Sequence, residues 1–242
     1  MAKIDISVMT ALSYRASESY KSLRTNIEFC GRDQKVIGIT SCTPNEGKSS
    51  VSINLAASLA ETGKKVIFID ADLRKSVLLG RLGVTEKIFG LTNFIAGQCQ
   101  ISDVVCNTNY PTLNVIFAGP VPPNPAELLG SQSFVQMIEY LRSYYDYIII
   151  DTPPLGSVID SAIIAKVCDG IAIVVAANTI SYKFVRKIKE QLDRTDCKIL
   201  GVILNKVDMS ENGYYGRYYG KYYGRYYGKY YGSYGTYGHE SS

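Results

Sequence analysis

The sequence contains no tryptophan, and its single histidine, His239, stands near the end of the 242-residue chain. Mechanisms that need a histidine inside a folded domain, including Ser-His-Asp hydrolysis and histidine-ligated metal sites, are therefore excluded. No two of the six cysteines form a CxxC pair, which argues against a structural zinc site and against a redox dithiol. We expect buried, reduced thiols at all six positions: Cys30, Cys42, Cys99, Cys106, Cys168 and Cys197.

Long hydrophobic runs are also missing. The longest apolar stretches, such as Ile171–Ala177, have the length of a strand and fall far short of the ~20 residues that span a bilayer. The first residues, Met1–Asp5, are polar and do not form the pattern of a signal peptide. The net charge is +4, and half of it belongs to the C-terminal tail, so the rest of the chain is nearly neutral. We therefore predict a cytoplasmic protein without a dedicated nucleic-acid surface.

Residues 214–242 contain no leucine, isoleucine, valine or phenylalanine, yet they hold twelve of the 20 tyrosines. The segment repeats YYGR and YYGK, and its regular glycines disfavour a helix. We predict a disordered tail at 210–242, suited either to being a substrate of tyrosine chemistry or to RNA binding and self-association. The tyrosines of this array are Tyr214, Tyr215, Tyr218, Tyr219, Tyr222, Tyr223, Tyr226, Tyr227, Tyr230, Tyr231, Tyr234 and Tyr237.

Before the tail, apolar β-rich runs alternate with helical patterns, which is typical of a doubly wound α/β domain with a mostly parallel sheet. The predicted strands are Val36–Thr40, Val66–Asp70, Leu113–Ala118, Tyr147–Asp151, Gly170–Ala176 and Lys198–Leu204. The predicted helices are Ala16–Phe29, Lys48–Thr62, Gln132–Ser143, Ser161–Val167 and Ser181–Arg194. Ligands of such a domain are expected at the carboxyl ends of the strands.

The segment Ser41–Ser50 matches the phosphate-loop pattern G-x-x-x-x-G-K-[ST], with Cys42 in place of the first glycine. In such a loop, backbone amides at a helix N-terminus stabilise phosphate charge. We predict that Lys48 contacts the β- and γ-phosphates, that Ser49 binds Mg²⁺ and that Ser50 approaches the α-phosphate. The other predicted nucleotide-binding residues of the loop are Thr43, Pro44, Asn45, Glu46 and Gly47.

Carboxylates follow two further predicted strands. Asp70 and Asp72 come at the end of Val66–Ile69, and Asp151 comes directly after Ile148–Ile150. The tips of parallel strands meet at the same edge of a sheet, so these groups are expected beside the phosphate loop, where a magnesium ligand and a general base would be needed. A single aspartate at a strand end is often only a helix cap. Three beside one phosphate loop favour a functional site.

These motifs and the tyrosine array together resemble a bacterial tyrosine kinase (BY-kinase), of the kind that is separate from its membrane activator, over nearly the whole chain. The resemblance implies MgATP held by Lys48 and Ser49, with Asp72 and Asp151 serving the metal. Asp70 then becomes the expected base toward an incoming tyrosine, although the division of roles between Asp70 and Asp72 stays open.

The resemblance extends to Glu18, Lys21 and Arg24, which are similar to the E-x-x-R-x-x-R motif for ring assembly, with lysine in the middle position. It implies an oligomerisation region at 1–30, a kinase domain at 31–209 and phosphorylation of the tail by a neighbouring subunit. The implied partners are a membrane-spanning activator that recruits the kinase to the inner face of the membrane, and a tyrosine phosphatase. The implied process is capsule or exopolysaccharide production.

Two alternatives remain from the residues. Partitioning ATPases of the ParA and MinD type would share the fold, but they place a lysine where this chain has Thr43. A non-catalytic scaffold would explain the tail, although not the phosphate loop and its carboxylates. Asn205–Asp208 reads NKVD, similar to the guanine-reading motif of GTPases, and we expect Asn205 to lie near the purine ring.

Overall fold

A computed structural model describes residues 3–31, 33–84 and 88–208 of the chain. The chain divides into two units, Met1–Asn205 and Lys206–Ser242, and only residues 206–208 of the second unit are described. The predicted disordered tail and its tyrosines lie outside the described residues. None of the described helices is both long and apolar enough to cross a membrane.

The first unit contains eight strands and ten α-helices in the described residues. The strands are β1 (Lys3–Ile4), β2 (Val36–Ser41), β3 (Val66–Asp70), β4 (Cys106–Thr108), β5 (Leu113–Ile116), β6 (Tyr147–Asp151), β7 (Gly170–Ala176) and β8 (Lys198–Asn205). The helices are α1 (Ser7–Thr10), α2 (Tyr14–Phe29), α3 (Lys48–Ala60), α4 (Leu78–Arg81), α5 (Leu91–Ile95), α6 (Ile101–Val104), α7 (Pro125–Leu129), α8 (Gln132–Arg142), α9 (Asp160–Ala165) and α10 (Tyr182–Leu192), and a 3₁₀ turn follows at Asp193–Thr195.

All eight strands form one sheet in the order β1-β4-β5-β3-β6-β2-β7-β8. Every neighbouring pair is parallel except β4 and β5. The central strands β2, β3 and β6 stand side by side, so their carboxyl ends meet at one edge. The predicted doubly wound, mostly parallel fold is therefore confirmed.

Side chains of the central strands alternate between two cores because successive residues of a strand point to opposite faces. Phe68 and Ile149 pack on the face covered by α1, α2 and α3. Their neighbours Ile67 and Ile148 pack on the opposite face, which α8 covers. Both faces are closed, and this explains why these strands are apolar at nearly every position.

The main difference from the sequence prediction is at one edge of the sheet. Lys3–Ile4 and Cys106–Thr108 form the short strands β1 and β4, which were not predicted. Two or three residues carry too little periodicity to be recognised, and their pairing depends on distant chain segments. The N-terminal helix also begins two residues early, at Tyr14, where the Ser13 side chain accepts a hydrogen bond from the Ala16 amide.

We expect Phe68→Ala to lower the free energy of unfolding by about 3–5 kcal/mol, because the ring is fully buried in the core beneath α3. The matched control is Phe29→Ala, since Phe29 is 82% exposed at the end of α2 and its loss should change stability by less than about 0.5 kcal/mol. Urea unfolding of both variants measures the two values. Equal losses would contradict this description of the core.

Candidate nucleotide site

The phosphate loop connects β2 to α3. Two of its residues adopt left-handed backbone conformations, Asn45 with φ 65° and Gly47 with φ 88°. Gly47 is the N-cap of α3, and no side chain caps the helix. The first amides of α3 therefore keep their hydrogen-bonding capacity for an anion, and the positive end of the helix dipole favours negative charge there.

Cys42 stands where the pattern has its first glycine, and the structure shows why cysteine fits. Its backbone is not in the left-handed region, so the position does not require glycine. Gly156, in the segment that faces Cys42, is the small residue here. A Cβ at Gly156 would lie 2.1 Å from the Cys42 carbonyl oxygen. Burial raises the pKa of the Cys42 thiol to about 12.

The other cysteines only partly follow the expectation. All six are free, but only Cys42 and Cys106 are buried, and the remaining four are half-buried. Those four lie near the ends of helices or strands, where part of the residue reaches the surface. No disulfide links any of the six, which agrees with reduced thiols, and the prediction that all six are buried is wrong.

Glu46 fixes the shape of the loop. Its carboxylate is buried and accepts hydrogen bonds from the Thr43 amide at 2.8 Å and from the Ala176 amide at 3.3 Å. The Asn205 side-chain amide donates to the Glu46 carbonyl oxygen at 2.8 Å. The loop is thus tied to the ends of β7 and β8. The structure shows Asn205 in contact with the phosphate loop. Its expected position near a purine ring stays a prediction.

The Lys48 side chain forms a buried ion pair with Asp151. The Nζ–Oδ1 distance is 2.7 Å, and both side chains are less than 10% exposed. Ser52, one helical turn after Lys48, donates a second hydrogen bond to the same carboxylate oxygen at 3.0 Å. The sequence analysis did not include Ser52, although its spacing of four residues from Lys48 on α3 could have indicated it.

Asp70 lies beside this pair. It is the register partner of Asp151 across β3 and β6, and it is nearly fully buried. Its carboxylate accepts hydrogen bonds from the Ser76 hydroxyl and from the Asp72 amide. Burial, and next the neighbouring Asp151 carboxylate, raise the pKa of Asp70 from 3.8 to about 7. Such a shift of a carboxyl beside a phosphate loop is typical of functional sites.

Asp72 is half-buried in the loop after β3, where its carboxylate accepts a hydrogen bond from the Lys75 amide. The same loop is anchored by Arg74, whose guanidinium makes two hydrogen bonds to Asp160, at 2.7 Å and 2.9 Å. Asp160 is fully buried at the start of α9. This pair was not predicted, because an aspartate at the first position of a helix is commonly only a cap.

The donor set at this edge suits Mg²⁺ bound together with a nucleotide. No group of three or more His, Cys, Asp or Glu side chains able to hold a metal by themselves occurs in residues 3–31, 33–84 and 88–208. Mg²⁺ usually takes one or two carboxylates, and substrate phosphates and water complete its octahedron. The Ser49 hydroxyl and the carboxylates of Asp72 and Asp151 are donors of the required kind.

The residues of the predicted assembly motif lie on α2, away from the phosphate loop. Lys21 pairs with Glu18 within the helix at 2.7 Å, and both side chains are 47% exposed. Arg24 is half-buried and donates to the Ser58 carbonyl and hydroxyl oxygens on α3. In the single chain these contacts are therefore internal ones, and assembly through this motif stays a prediction.

The fold and the phosphate loop define a P-loop nucleotide-binding protein. Residues 34–199 match the family described as AAA domain. The MinD protein of Pyrococcus horikoshii, solved with Mg-ADP, superposes with a TM-score of 0.62 at 26% identity and covers 74% of this chain and 73% of its own.

Similarity to tyrosine kinases is stronger. The tyrosine-protein kinase CpsD of Streptococcus agalactiae is 47% identical over 208 residues, which is 84% of this chain and 91% of that protein. The tyrosine-protein kinase YwqD of Bacillus subtilis is 39% identical over 217 residues, or 88% and 91%. The kinase domain of the Escherichia coli tyrosine kinase ETK has a TM-score of 0.75 at 30% identity and covers 84% and 88%. The chain belongs to the bacterial tyrosine kinases, as its motifs predicted.

We expect Asp70→Asn to stabilise the nucleotide-free protein at about pH 8 and to change little at about pH 4. The folded state retains the Asp70 proton up to a pKa of about 7, whereas the unfolded chain releases it near 3.8. Between these values the folded state binds the additional proton, so stability falls as the pH rises, and asparagine removes this loss. The expected gain at high pH is about 2–4 kcal/mol.

Urea unfolding at several pH values, without nucleotide or Mg²⁺, measures this difference. Asp33→Asn makes the same chemical change at an exposed position and serves as the control. Curves of stability against pH that run parallel for wild type and Asp70→Asn would show that the pKa of Asp70 is not raised.

Proposed function

We propose that this kinase transfers the γ-phosphoryl group of ATP to tyrosine hydroxyls in the tail of a neighbouring copy of the chain. The observation that carries the proposal is the buried cluster of Lys48, Asp70 and Asp151 at the mouth of a phosphate loop, in a chain that ends in a tyrosine array. Family membership supports the reaction class, and the array supplies the substrate.

Phosphoryl transfer asks for positioning and charge stabilisation more than for covalent chemistry. The uncapped amides of α3 and the Lys48 ammonium are the positive groups of the site. In the structure the ammonium is held 2.7 Å from Asp151, so its position is set before nucleotide binds. Phosphate oxygens bound in the loop would compete with Asp151 for the Lys48 ammonium. They would meet a positive charge that is already buried and oriented.

Asp70 is the proposed proton acceptor. In the reaction the tyrosine oxygen forms a bond to the γ-phosphorus, the bond from that phosphorus to the bridging β–γ oxygen breaks, and ADP leaves. The tyrosine hydroxyl proton passes to the Asp70 carboxylate. A pKa near 7 suits this role, because a base is most effective when its pKa lies close to the working pH.

Mg²⁺, when bound, neutralises phosphate charge, and we propose Ser49, Asp72 and Asp151 as the residues that hold it. Thr43, Pro44, Asn45, Glu46 and Gly47 shape the loop around the phosphates, and Ser50 follows at the first turn of α3. The Arg74–Asp160 pair holds the Asp72 loop against α9, which limits the positions that Asp72 can take when it serves the metal.

Assembly and partners complete the proposal. Neighbouring copies would dock through Glu18, Lys21 and Arg24 of region 1–30, so that the tail (210–242) of one copy enters the site of the next domain (31–209). A separate membrane-spanning activator of the polysaccharide machinery would bring the kinase to the inner face of the membrane, and a tyrosine phosphatase would reset the tail. These parts rest on the family relationship and on the exposed position of the Glu18–Lys21 pair.

Lys48→Met should abolish phosphotyrosine formation, because it removes the cation aimed at the transferring group. If transfer occurs between chains, a Lys48→Met protein with an intact tail becomes phosphorylated when mixed with an active chain that ends at residue 208. Phosphotyrosine blots of the mixture and of each protein alone measure this. The mixture is repeated with Asp70→Asn as the inactive partner. This second variant is needed because Lys48→Met leaves the buried Asp151 charge without its partner and so destabilises the protein. If the inactive partner gives no more phosphotyrosine signal in the mixture than it gives alone, transfer between chains is contradicted.

Phosphorylation should convert assemblies into monomers. Each phosphotyrosine adds about −1.5 to −2 charges, so four or five of them outweigh the four basic residues of the tail. Salt screens charges that are more than ~8–10 Å apart, so phosphorylated tails that come closer than this in an assembly should repel one another. Light scattering at equal protein concentration compares the phosphorylated and the phosphatase-treated protein. A phosphorylated sample as large as the unmodified one would rule out this switch.

A further inference from the structure

A cavity of about 110 Å³ lies between the N-terminal helices and α3. It is separate from the phosphate site, and no step of the proposed reaction uses it. Its polar and aromatic lining comes from Ser17 and Tyr20 of α2, from Asn54, Ser58 and Glu61 at α3 and its end, and from Tyr110. These groups are rich in hydrogen-bond acceptors and π faces, which is the lining that a cation prefers.

Asn54 provides the observation that points to a ligand. Its side-chain nitrogen donates to two carbonyl oxygens, those of Met9 at 3.1 Å and Ser50 at 2.7 Å. Since both partners can only accept, the orientation of the amide is fixed, and the oxygen is the atom left over. That oxygen has no hydrogen-bond partner in the described chain, although Asn54 is only 4% exposed. Asn54, which belongs to the wall of the cavity, therefore carries a buried acceptor without a donor.

The charges around the cavity favour a positively charged donor. Glu61 is exposed at the end of α3, and it forms no ion pair within 4.0 Å among the described residues. Lys21, whose charge interacts with that of Glu61, and Arg24, which reaches the cavity wall at Ser58, are both already hydrogen-bonded. Lys21 is hydrogen-bonded to Glu18, and Arg24 donates to Ser58. The Glu61 carboxylate and the Asn54 oxygen thus remain for an incoming ammonium or guanidinium group, with Tyr20 and Tyr110 as aromatic walls.

We propose that this cavity binds a lysine or arginine side chain from the tyrosine-rich tail of a second copy of the chain, and so acts as a docking site for the substrate. The proposal rests on the proposed function, since it assumes that the tail is phosphorylated between chains. It adds a binding site outside the nucleotide site, with a cationic side chain as its ligand.

The spacing of the tail fits this site. Arg217, Lys221, Arg225 and Lys229 follow one another every four residues, each beside a tyrosine pair. Asn54 is six residues from Lys48 along α3, a distance of about 9 Å. One extended tail repeat spans about 13–14 Å. When one basic residue of the tail occupies the cavity, a tyrosine one or two repeats away is within reach of the phosphate loop. A shift of the tail by one repeat then brings the next tyrosine pair to the loop.

The test compares two peptides, three repeats of YYGR and three repeats of YYGQ, which have the same length and the same tyrosines. The protein is full-length Asp70→Asn whose four tail basic residues are changed to glutamine, so that its own tail does not compete. We expect the arginine peptide to bind about five- to tenfold more tightly, as a partly exposed ion pair and a charge-assisted hydrogen bond would provide. Fluorescence anisotropy with labelled peptides gives the two affinities.

Two added substitutions locate the effect. Glu61→Gln should reduce the preference for the arginine peptide to less than about twofold, whereas Glu139→Gln on α8, in the opposite layer, should preserve it. Ser17→Asp adds a carboxylate to the rim and should increase the preference, a gain that misfolding cannot produce. Equal affinity for the two peptides, or a preference that Glu61→Gln and Ser17→Asp leave unchanged, overturns the docking site.

These binding measurements are independent of catalysis, so the two proposals fail separately. If wild type forms no phosphotyrosine but the peptides behave as expected, the docking site stands and the proposed reaction is wrong. If wild type phosphorylates both peptides with the same KM and both bind alike, the reaction stands and the docking site is wrong.

Discussion

The contact between Lys48 and Asp151 is the constraint on which the site depends. It joins the first turn of α3 to the end of β6, and so it connects the phosphate loop to the central strand of the sheet. Beside it, burial and the Asp151 charge raise the pKa of Asp70, so three ionisable groups share a buried space with one positive charge among them. Breaking a buried pair of this kind typically costs about 3–5 kcal/mol, since the remaining charge has no partner. The site therefore maintains an organised charge cluster in the absence of nucleotide.

Much of the fold follows from the sequence because the central strands carry strong local signals. Val66–Asp70, Tyr147–Asp151 and Gly170–Ala176 begin and end where the pattern predicted. Each is continuously apolar and ends at a carboxylate or a small residue, so both boundaries are marked. The edge strands β1 and β4 carry no comparable signal, because two or three residues form a strand there only through their neighbours in space.

The candidate site was predictable in its residue types but not in its contacts. The motif placed Lys48, Asp70 and Asp151 at one edge, and the parallel sheet brings them there. The sequence could not show that Asp160 accepts Arg74 or that Glu46 joins the loop to β7, since these pairs lie 86 and 130 residues apart in the chain. The same limit applies to Arg24, whose partner Ser58 follows 34 residues later. Such contacts require the positions of helices relative to the sheet, which local patterns do not give.

The cysteine in the phosphate loop has a consequence for redox chemistry. Oxidants and alkylating agents react with the thiolate form of cysteine, and accessible thiols of low pKa react first. Cys42 is fully buried against the chain around Gly156, and its pKa of about 12 keeps it protonated at any physiological pH. Here burial and the raised pKa both disfavour the thiolate, so oxidation of Cys42 is not expected to be the step that controls phosphate binding.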